Sequence, residues 1–409
     1  MRISFRNCLA FLLPAFFFGH AAGQIPSSVE SPYEDLSQLQ DGQILHRATG
    51  RLLTEKELMN YLCAYTIVYV GETHDSKNDH AVELKILKGL NERFPGRMAL
   101  GMEMLCRPSQ KDVDAYINGD LDDRKFAKVW FENWDNLYYY REILKFARDN
   151  RIPIVALNAG KDLQEAVKEK GLDGLDEAMK KRLPVIDFND PYYLQFSRAI
   201  FAAHKGGSNI AEVFNRVQSL WDETMAETAA GFLQSKAGKD RKLMIMAGGY
   251  HVQYGFGIPR RLFRRLPLPY VIVSPYAVEI SEEKQANIMD VELPTLPMPP
   301  ADVYWGVVYE GSDDEPVSLG VICTEIEGED GLLIEGVMPG SPAEKAGLKK
   351  GDIILKMDGE ATNEVFDLKY QVGLHKSGEQ SPIEIQRGKE RLTVTVTHDV
   401  VRHGETLQP

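Results

Sequence analysis

The chain has 409 residues, of which 44% are hydrophobic and 26% are charged. This composition is ordinary for a globular protein, so intrinsic disorder, collagen and a small disulfide-rich scaffold are excluded. Because a typical domain has about 100–200 residues, the length predicts two or three domains. The formal net charge is −13, and duplex binding depends on neutralising phosphates, so we expect no nucleic-acid partner.

The first residues have the three-part pattern of a secretory signal peptide. Arg2 and Arg6 precede the apolar run Cys8–Phe18, and the small residues Ala21–Gly23 follow it. The run is shorter than the ~20 apolar residues that span a bilayer. The three residues before the first cysteine do not form a bacterial lipoprotein box. We therefore predict a signal peptide over residues 1–23 and a periplasmic or secreted protein.

From about Thr54 the chain alternates between strand-like and helix-like segments. The predicted strands are Tyr65–Val70, Met98–Met102, Ile152–Leu157, Lys242–Ala247, Tyr270–Ser274 and Val303–Val308. The predicted helical segments are Asn78–Glu92, Pro108–Arg148 with breaks at Gly119 and Asn133, Gly160–Ser235 with interruptions at Pro184 and Pro191, and Ile258–Arg265. This alternation predicts an α/β fold with a mostly parallel central sheet flanked by helices.

The character of the sequence changes near residues 311–316. The proline-rich segment Val291–Pro300 is expected to be an extended strap. Beyond Gly311, short alternating strands with glycine turns predict a small β-rich domain. The predicted organisation is a signal peptide over 1–23, a flexible leader over 24–39, an α/β domain over 40–311, a β-rich domain over 317–402 and a tail over 403–409.

Polar residues follow the carboxyl ends of four predicted strands. In chain order they are Gly71–Asp75, Glu103, Asn158 and Gly248–His251. Ligand crevices of open parallel sheets lie outside the carboxyl ends of the strands, so we expect these residues to converge. The pattern Gly-x-x-His occurs twice among them, and glycine would allow a sharp turn with positive φ.

Two imidazoles and two carboxylates at one sheet edge could bind a divalent metal or perform acid–base chemistry. The candidate catalytic residues are Glu72, His74, Glu103 and His251. The candidate metal ligands are His74, Glu103 and His251. His80 falls in the first turn of a predicted helix, where it either supports this site or is solvated.

These motifs resemble the ChaN family of bacterial haem-binding proteins over about residues 40–310. The matching segments are Gly71–Asp75, His80, Gly101–Met104, Ala156–Asn158, Trp221–Ala226 and Ala247–His251. The resemblance implies haem binding and iron acquisition at the bacterial envelope. The family is similar to a wider group that includes Tiki proteases, TraB-type proteins and erythromycin esterases, in which paired Gly-x-x-His motifs are associated with metal-dependent hydrolysis. Many ChaN relatives are lipoproteins, and this chain has no lipid-attachment box.

A haem site needs an axial ligand, a flat apolar slot and cations for the propionates. The candidate haem-binding residues are His74, His80, Tyr140, Tyr250, His251, Tyr254, Arg260 and Arg261. Phe256 could line the slot. The alternative for Tyr138–Tyr140 is a helix-packing face, and for Arg260–Arg265 it is a solvated basic face. For Asp222 and Glu223 we favour a place near a helix N-terminus or in solvent, and the alternative is a carboxylate that supports the site.

Residues 317–402 resemble a PDZ domain of the kind found in bacterial HtrA proteases. The matching segments are Ser318–Val321, Gly340–Ala343, Ala346–Leu348, Gly351–Leu355 and Asp358–Gly359. The resemblance implies that a peptide adds as a strand to a sheet edge and places its terminal carboxylate among backbone N–H groups. The candidate peptide-binding residues are Ser318, Leu319, Gly320, Val321, Phe366 and Lys369.

Two functions stay open from the sequence. We rank first an extracytoplasmic haem-binding protein of iron or haem acquisition, whose PDZ domain docks a partner's C-terminus. Because ChaN-like proteins can pair across bound haem, this function includes a haem-bridged homodimer. The alternative is a metal-dependent hydrolase, a peptidase or esterase, with Mn, Co or Zn as its cofactor. A third interpretation makes the first domain a degenerate scaffold beside a functional PDZ domain.

Overall fold

In the computed structural model, residues 36–202, 207–287, 298–311 and 317–400 are described. The predicted signal peptide and tail, most of the leader, most of the proline-rich strap and the domain boundary lie outside these ranges. No helix within them is long and apolar enough to cross a membrane.

The first domain contains an eight-stranded sheet. Its strands are β1 (Ile44–His46), β2 (Arg51–Leu53), β3 (Ile67–Glu72), β4 (Met98–Cys106), β5 (Ile154–Asn158), β6 (Lys242–Gly248), β7 (Tyr270–Glu279) and β8 (Val303–Val308). Their order is β2-β1-β8-β7-β3-β6-β4-β5, and the strands from β8 to β5 are all parallel. The predicted α/β class and all six predicted strands are confirmed.

The central strand β3 shows why these segments form a covered sheet. All six of its residues are buried. Val68 and Val70 belong to the core on one face of the sheet, whereas Ile67 and Tyr69 belong to the core on the other. Successive strand residues point to opposite faces, so a continuous apolar run is covered by helices on both sides.

Twelve helices accompany this sheet within the described residues. They are α1 (Glu55–Leu62), α2 (Lys77–Arg93), α3 (Gln110–Asn118), α4 (Asp123–Asn133), α5 (Leu137–Asp149), α6 (Lys161–Lys170), α7 (Glu177–Lys180), α8 (Pro191–Ala202), α9 (Gly207–Gln234), α10 (Gly249–Val252), α11 (Ile258–Arg265) and α12 (Glu282–Asn287). The two predicted breaks are confirmed: α3 ends at Gly119, whose φ of 84° is left-handed, and α4 ends at Asn133.

The hairpin of β1 and β2 was not predicted. Each strand has only three residues, which is too short for a periodic pattern to be visible in the sequence. The partner of β1 is β8, with Ile44 opposite Trp305, so long-range pairing creates the strand.

The second domain is built from antiparallel strands. They are β9 (Val317–Ser318), β10 (Val321–Glu325), β11 (Leu332–Val337), β12 (Ile353–Met357), β13 (Glu360–Ala361), β14 (Gln380–Arg387), β15 (Glu390–Thr397) and β16 (Asp399–Val400), with the helices α13 (Pro342–Lys345) and α14 (Val365–Val372). The main order is β10-β11-β12-β14-β15, while β9 pairs with β16. The predicted β-rich second domain is confirmed, and β10 is an edge strand.

Candidate functional site

The four predicted catalytic residues surround one cavity at the carboxyl edge of the sheet. Strands β3, β6 and β4 are neighbours, and Glu72 lies opposite Gly248 in the parallel register. The cavity has a volume of about 840 Å³, and its lining includes Glu72, His74, Glu103 and His251. Sheet topology therefore brings together residues that are far apart in sequence.

His251 lies in the four-residue helix α10, buried between two carboxylates. Its Nδ1 is 2.6 Å from Asp222 Oδ1, and its Nε2 is 3.3 Å from Glu103 Oε1. Burial disfavours the imidazolium, but the charges of Glu103 and Asp222 outweigh burial and raise the pKa of His251 to about 10. Burial raises the pKa of Glu103, but the charge and hydrogen bond of His251, the charge of His74 and the Gly248 N–H together outweigh burial and lower it. At neutral pH His251 is therefore a cation held between Glu103 and Asp222.

His74 presents its ring to the cavity. Its side chain is 39% exposed, whereas those of His80 and His251 are 4% and 5% exposed. Nδ1 of His74 is 2.6 Å from Glu72 Oε1, and its ring meets the edge of Trp134 at a centroid distance of 5.1 Å. Burial lowers the pKa of His74, but the hydrogen bond to Glu72 and the charges of Glu103 and Glu72 together outweigh burial and raise it. A carboxylate on Nδ1 fixes the ring and leaves Nε2 as the nitrogen that could bind a metal.

His80 forms a second, fully buried cluster with Glu72 and Glu83. Its Nδ1 is 2.8 Å from Glu83 Oε2 and 3.5 Å from Glu72 Oε2, and its Nε2 is 3.2 Å from the main-chain oxygen of His74. Burial and then the charge of Glu72 raise the pKa of Glu83 well above its ordinary value. The ligand atoms of the three residues lie within 4.8 Å of one another, a spacing that could hold a metal ion. This set shares no member with the predicted metal ligands.

The glycines of the two Gly-x-x-His motifs provide space rather than an unusual turn. Neither Gly71 nor Gly248 has a positive φ, so the expectation of a left-handed turn is wrong. A Cβ atom on Gly248 would lie 2.8 Å from His74 Nε2. A Cβ atom on Gly71 would lie 2.6 Å from Val252 Cγ2. Without a side chain at Gly71, β3 packs closely against α10. Without a side chain at Gly248, β6 packs closely against His74 of the first motif.

The three predicted tyrosines have different surroundings. Tyr140 is buried, and its hydroxyl donates a hydrogen bond of 2.5 Å to Glu72 Oε1. Tyr250 lines the cavity beside His251. Tyr254 stacks on Phe256 at 5.5 Å and is not among the residues that line the cavity. Of the three, Tyr250 is the tyrosine that reaches the cavity directly.

The predicted arginines of α11 pair with buried or partly buried carboxylates and do not line the cavity. Arg260 Nη1 is 2.6 Å from Asp190 Oδ2. Arg261 is fully buried, and its Nε is 3.3 Å from Glu223 Oε1. Two further arginines of α11 also pair with Glu223. The expected solvated basic face is therefore wrong for Arg261, and the expected exposure of Glu223 is wrong as well.

Three residues of the site were not assigned to it from the sequence. Asp222 was expected near a helix terminus or in solvent, but it is buried in the interior of α9 and orients His251. The available signal was its place in Trp221–Ala226, one of the segments that resemble the ChaN family. Glu83 and Trp134 carried no local signal, because their roles depend on contacts with His80 and His74.

A second cavity, of about 590 Å³, lies between β10 and α14 of the second domain and α5 of the first. The predicted peptide-binding residues that line it are Ser318, Leu319, Gly320, Val321 and Lys369. Phe366 does not line it and instead meets Phe131 of α4 at a centroid distance of 6.0 Å. The outer edge of β10 faces no other strand in the described sheet, which leaves a place for an added strand.

The fold and its cavities define an α/β domain with a histidine-rich site, joined to a PDZ domain. Residues 58–262 match the family model described as haem-binding uptake, Tiki superfamily, ChaN. Residues 317–397 match the model of the PDZ domain. The chain belongs to the ChaN-like haem-binding family of the Tiki superfamily, with a PDZ domain fused at its C-terminal side.

Individual relatives cover parts of the chain. The chloroplastic protein RETICULATA-RELATED 5 of Arabidopsis thaliana is 22% identical over 287 residues, which cover 64% of this chain and 38% of that protein. A probable periplasmic DegP-like serine endoprotease of Marinomonas sp. is 37% identical over 111 residues, 24% of each protein. The chain thus spans well under half the length of these relatives.

A solved structure is also similar to the first domain. The structure titled "Cofacial heme binding to ChaN of Campylobacter jejuni" has 16% sequence identity and a TM-score of 0.49. The match covers 67% of this chain and 98% of the chain in that structure.

Proposed function

We propose that the chain binds haem in the cavity of its first domain, with His74 as an axial ligand. The observation that carries this proposal is the exposed His74 ring, which Glu72 holds through Nδ1. An iron ligand must present an unprotonated nitrogen. His251 fits this role less well, because its side chain is only 5% exposed and its two ring nitrogens already lie 2.6 Å from Asp222 and 3.3 Å from Glu103. We therefore give His251 a positioning role at the back of the site.

The remaining lining fits a flat, largely apolar group. Ligand pockets in proteins have volumes of about 300–1,000 Å³, and this cavity of about 840 Å³ lies in that range. Trp134, Trp221 and Pro275 provide apolar surface around it. Lys284 Nζ lies 2.6 Å from Oδ2 of the lining residue Asp75 and so offsets the charge of that carboxylate beside the cavity. When bound, haem would supply a redox-active iron centre, and this chain would hold the iron through His74.

We further propose that the protein acts outside the cytoplasm in haem or iron acquisition. The signal-peptide pattern of residues 1–23 supports an extracytoplasmic location. The family described as haem-binding uptake supports the role in acquisition. The exposure of His74 leaves the iron accessible from outside, so we include a homodimer bridged by haem in this proposal. The PDZ domain would dock the protein to the C-terminus of a partner.

Titration of the purified protein with haemin tests the proposal. We expect a saturable Soret band, and we expect His74→Ala to weaken haemin binding about tenfold or more, because the axial bond is lost. His46→Ala is the matched control, since His46 lies on β1 and hydrogen-bonds Thr49 away from the cavity.

Circular dichroism of each variant separates loss of the ligand from loss of the fold. Sedimentation of the haemin-loaded protein reports the dimer. Unsaturable haemin binding by the wild type, or identical Soret bands for the wild type and His74→Ala, would contradict the assignment of the ligand.

A further inference from the structure

The first domain supplies one wall of the groove that lies between β10 and α14. Asn136, Leu137, Tyr138, Tyr139 and Arg141 from the start of α5 line the same cavity as the PDZ residues. Phe131 of α4 lines it as well. A peptide added to the edge of β10 would therefore face the PDZ domain on one side and α5 on the other.

Contacts between the domains hold this wall in place. Arg124 of α4 donates a hydrogen bond of 3.0 Å from Nε to Oδ1 of the buried Asp367 in α14. Lys128 Nζ is 2.5 Å from Glu364 Oε2, at the residue before α14. The Phe131–Phe366 ring contact lies beside these pairs. Because α14 forms one side of the groove, these contacts fix α4, the helix directly before α5, relative to it.

The groove is cationic although the chain as a whole has a net charge of −13. No described aspartate or glutamate lines it. Arg141, Lys369 and Lys376 line it, and the side chains of Arg141 and Lys369 form no salt bridge with a described carboxylate, whereas the main-chain N–H of Lys376 donates a 3.0 Å hydrogen bond to Glu379. His375 also lines it, but its ring nitrogens pair with Asp358 and Glu379. The two cations without a described salt-bridge partner, Arg141 and Lys369, favour a ligand with negative side chains.

The part of the groove beside Ser318–Val321, the loop proposed to bind the peptide's terminal carboxylate, is apolar. Leu319 follows β9, Val321 begins β10, and Leu368 and Val372 face them from α14. In strand addition, main-chain hydrogen bonds give affinity and pockets for alternate side chains give specificity. An apolar side chain at the peptide's last position matches this lining.

We propose that the two domains form one composite groove for a partner protein whose C-terminus ends in an apolar residue and carries acidic residues just before it. The PDZ domain binds the terminal residue, and Arg141, Tyr138 and Tyr139 of α5 contact the residues before it. This inference rests on the peptide docking proposed above and adds the chemistry of the partner.

Two labelled pentapeptides, Glu-Gly-Glu-Trp-Val and Lys-Gly-Lys-Trp-Val, test the inference by fluorescence anisotropy with the full chain. They share the apolar end and differ in the sign of two side chains. We expect the acidic peptide to bind about tenfold more tightly, with the difference shrinking in high salt. The acidic peptide with an amidated C-terminus should bind weakly, because its carboxylate is removed.

Arg141→Glu tests the contribution of the first domain. We expect it to weaken the acidic peptide about tenfold by reversing one charge of the wall. Lys145→Glu makes the same charge change on an exposed residue of α5 that does not line the groove, and it should change binding less than about twofold. If neither peptide binds, peptide docking itself is overturned. Tight binding of the acidic peptide that Arg141→Glu leaves unchanged would overturn only the composite wall.

Discussion

The position of His74 depends on the absence of a side chain at Gly248. A Cβ atom there would lie 2.8 Å from His74 Nε2 and 3.6 Å from Glu103 Oε2. The backbone of Gly248 is held by its N–H, which donates a 2.7 Å hydrogen bond to Glu103. A substitution at Gly248 should therefore displace the imidazole rather than the strand.

We predict that Gly248→Ala weakens haemin binding about tenfold by displacing the ligand atom. Gly248→Ala should lower the free energy of unfolding by roughly 1–3 kcal/mol, the range typical of overpacking. Gly231→Ala, in α9, is the matched control, because nothing lies within 4 Å of the added Cβ. Haemin titration and urea unfolding of both variants measure these effects. Equal haemin affinity in the two variants would contradict the steric argument.

The residues of the site differ in how far the sequence reveals them. Glu72, His74, Glu103 and His251 follow strand ends, and the topology of parallel sheets then places them at one edge. Asp222 reaches the site from the interior of a 28-residue helix, so its role depends on how α9 packs across the sheet. A local sequence pattern does not reveal this packing, because it depends on contacts between residues far apart in the chain. The same limit hid the pairing of Arg261 with Glu223.

At the scale of elements, helix α14 depends on one carboxylate that serves both domains. Oδ2 of Asp367 accepts hydrogen bonds from the N–H groups of Asn363 and Glu364, while Oδ1 accepts from Arg124. Burial raises the pKa of Asp367, but the Arg124 hydrogen bond and these N–H groups outweigh burial and lower it. Because the folded-state pKa lies below the unfolded value, the stabilisation is present above the unfolded pKa and is lost as pH falls through the folded pKa.

We predict that Asp367→Asn lowers the free energy of unfolding by about 1–2 kcal/mol at pH 7, because a helix cap and an ion pair are weakened together. The difference from the wild type should shrink as the pH falls below 3.8, the ordinary pKa of an aspartate. Urea unfolding at several pH values measures both effects. Asp330→Asn, at an exposed turn, should be neutral. A difference that stays constant with pH would argue against the charged carboxylate.

Elements with a repeating apolar pattern were predictable, and elements made by long-range pairing were not. The six predicted strands contain apolar runs long enough to signal burial on both faces. The hairpin of β1 and β2 has three residues in each strand and exists because β1 pairs with β8. The breaks at Gly119 and Asn133 were visible because they rest on local chemistry.

At the scale of the whole molecule, the segment 134–140 contacts both the histidine site of the first domain and the peptide groove. Trp134 meets His74, and Tyr140 donates its hydroxyl hydrogen bond to Glu72. Tyr139 lies between these two residues of the segment and lines the groove, while its ring is 5.3 Å from the ring of His80. The start of α5 therefore touches the histidine site on one side and the peptide groove on the other. A ligand that shifts this segment from one side would therefore change the contacts that the segment offers to the second ligand.

We predict that haemin raises the affinity for the acidic pentapeptide about fivefold, and that the peptide raises the affinity for haemin by the same factor, because linkage is reciprocal. Tyr139→Ala should reduce this coupling towards one, since it removes the ring between His80 and the groove. Tyr138→Ala is the matched control: Tyr138 lines the groove without a described ring contact to His80, so it should alter peptide affinity and preserve the coupling factor. Anisotropy titrations with and without haemin measure both factors. Equal peptide affinity in the presence and absence of haemin would show that the two domains bind their ligands independently.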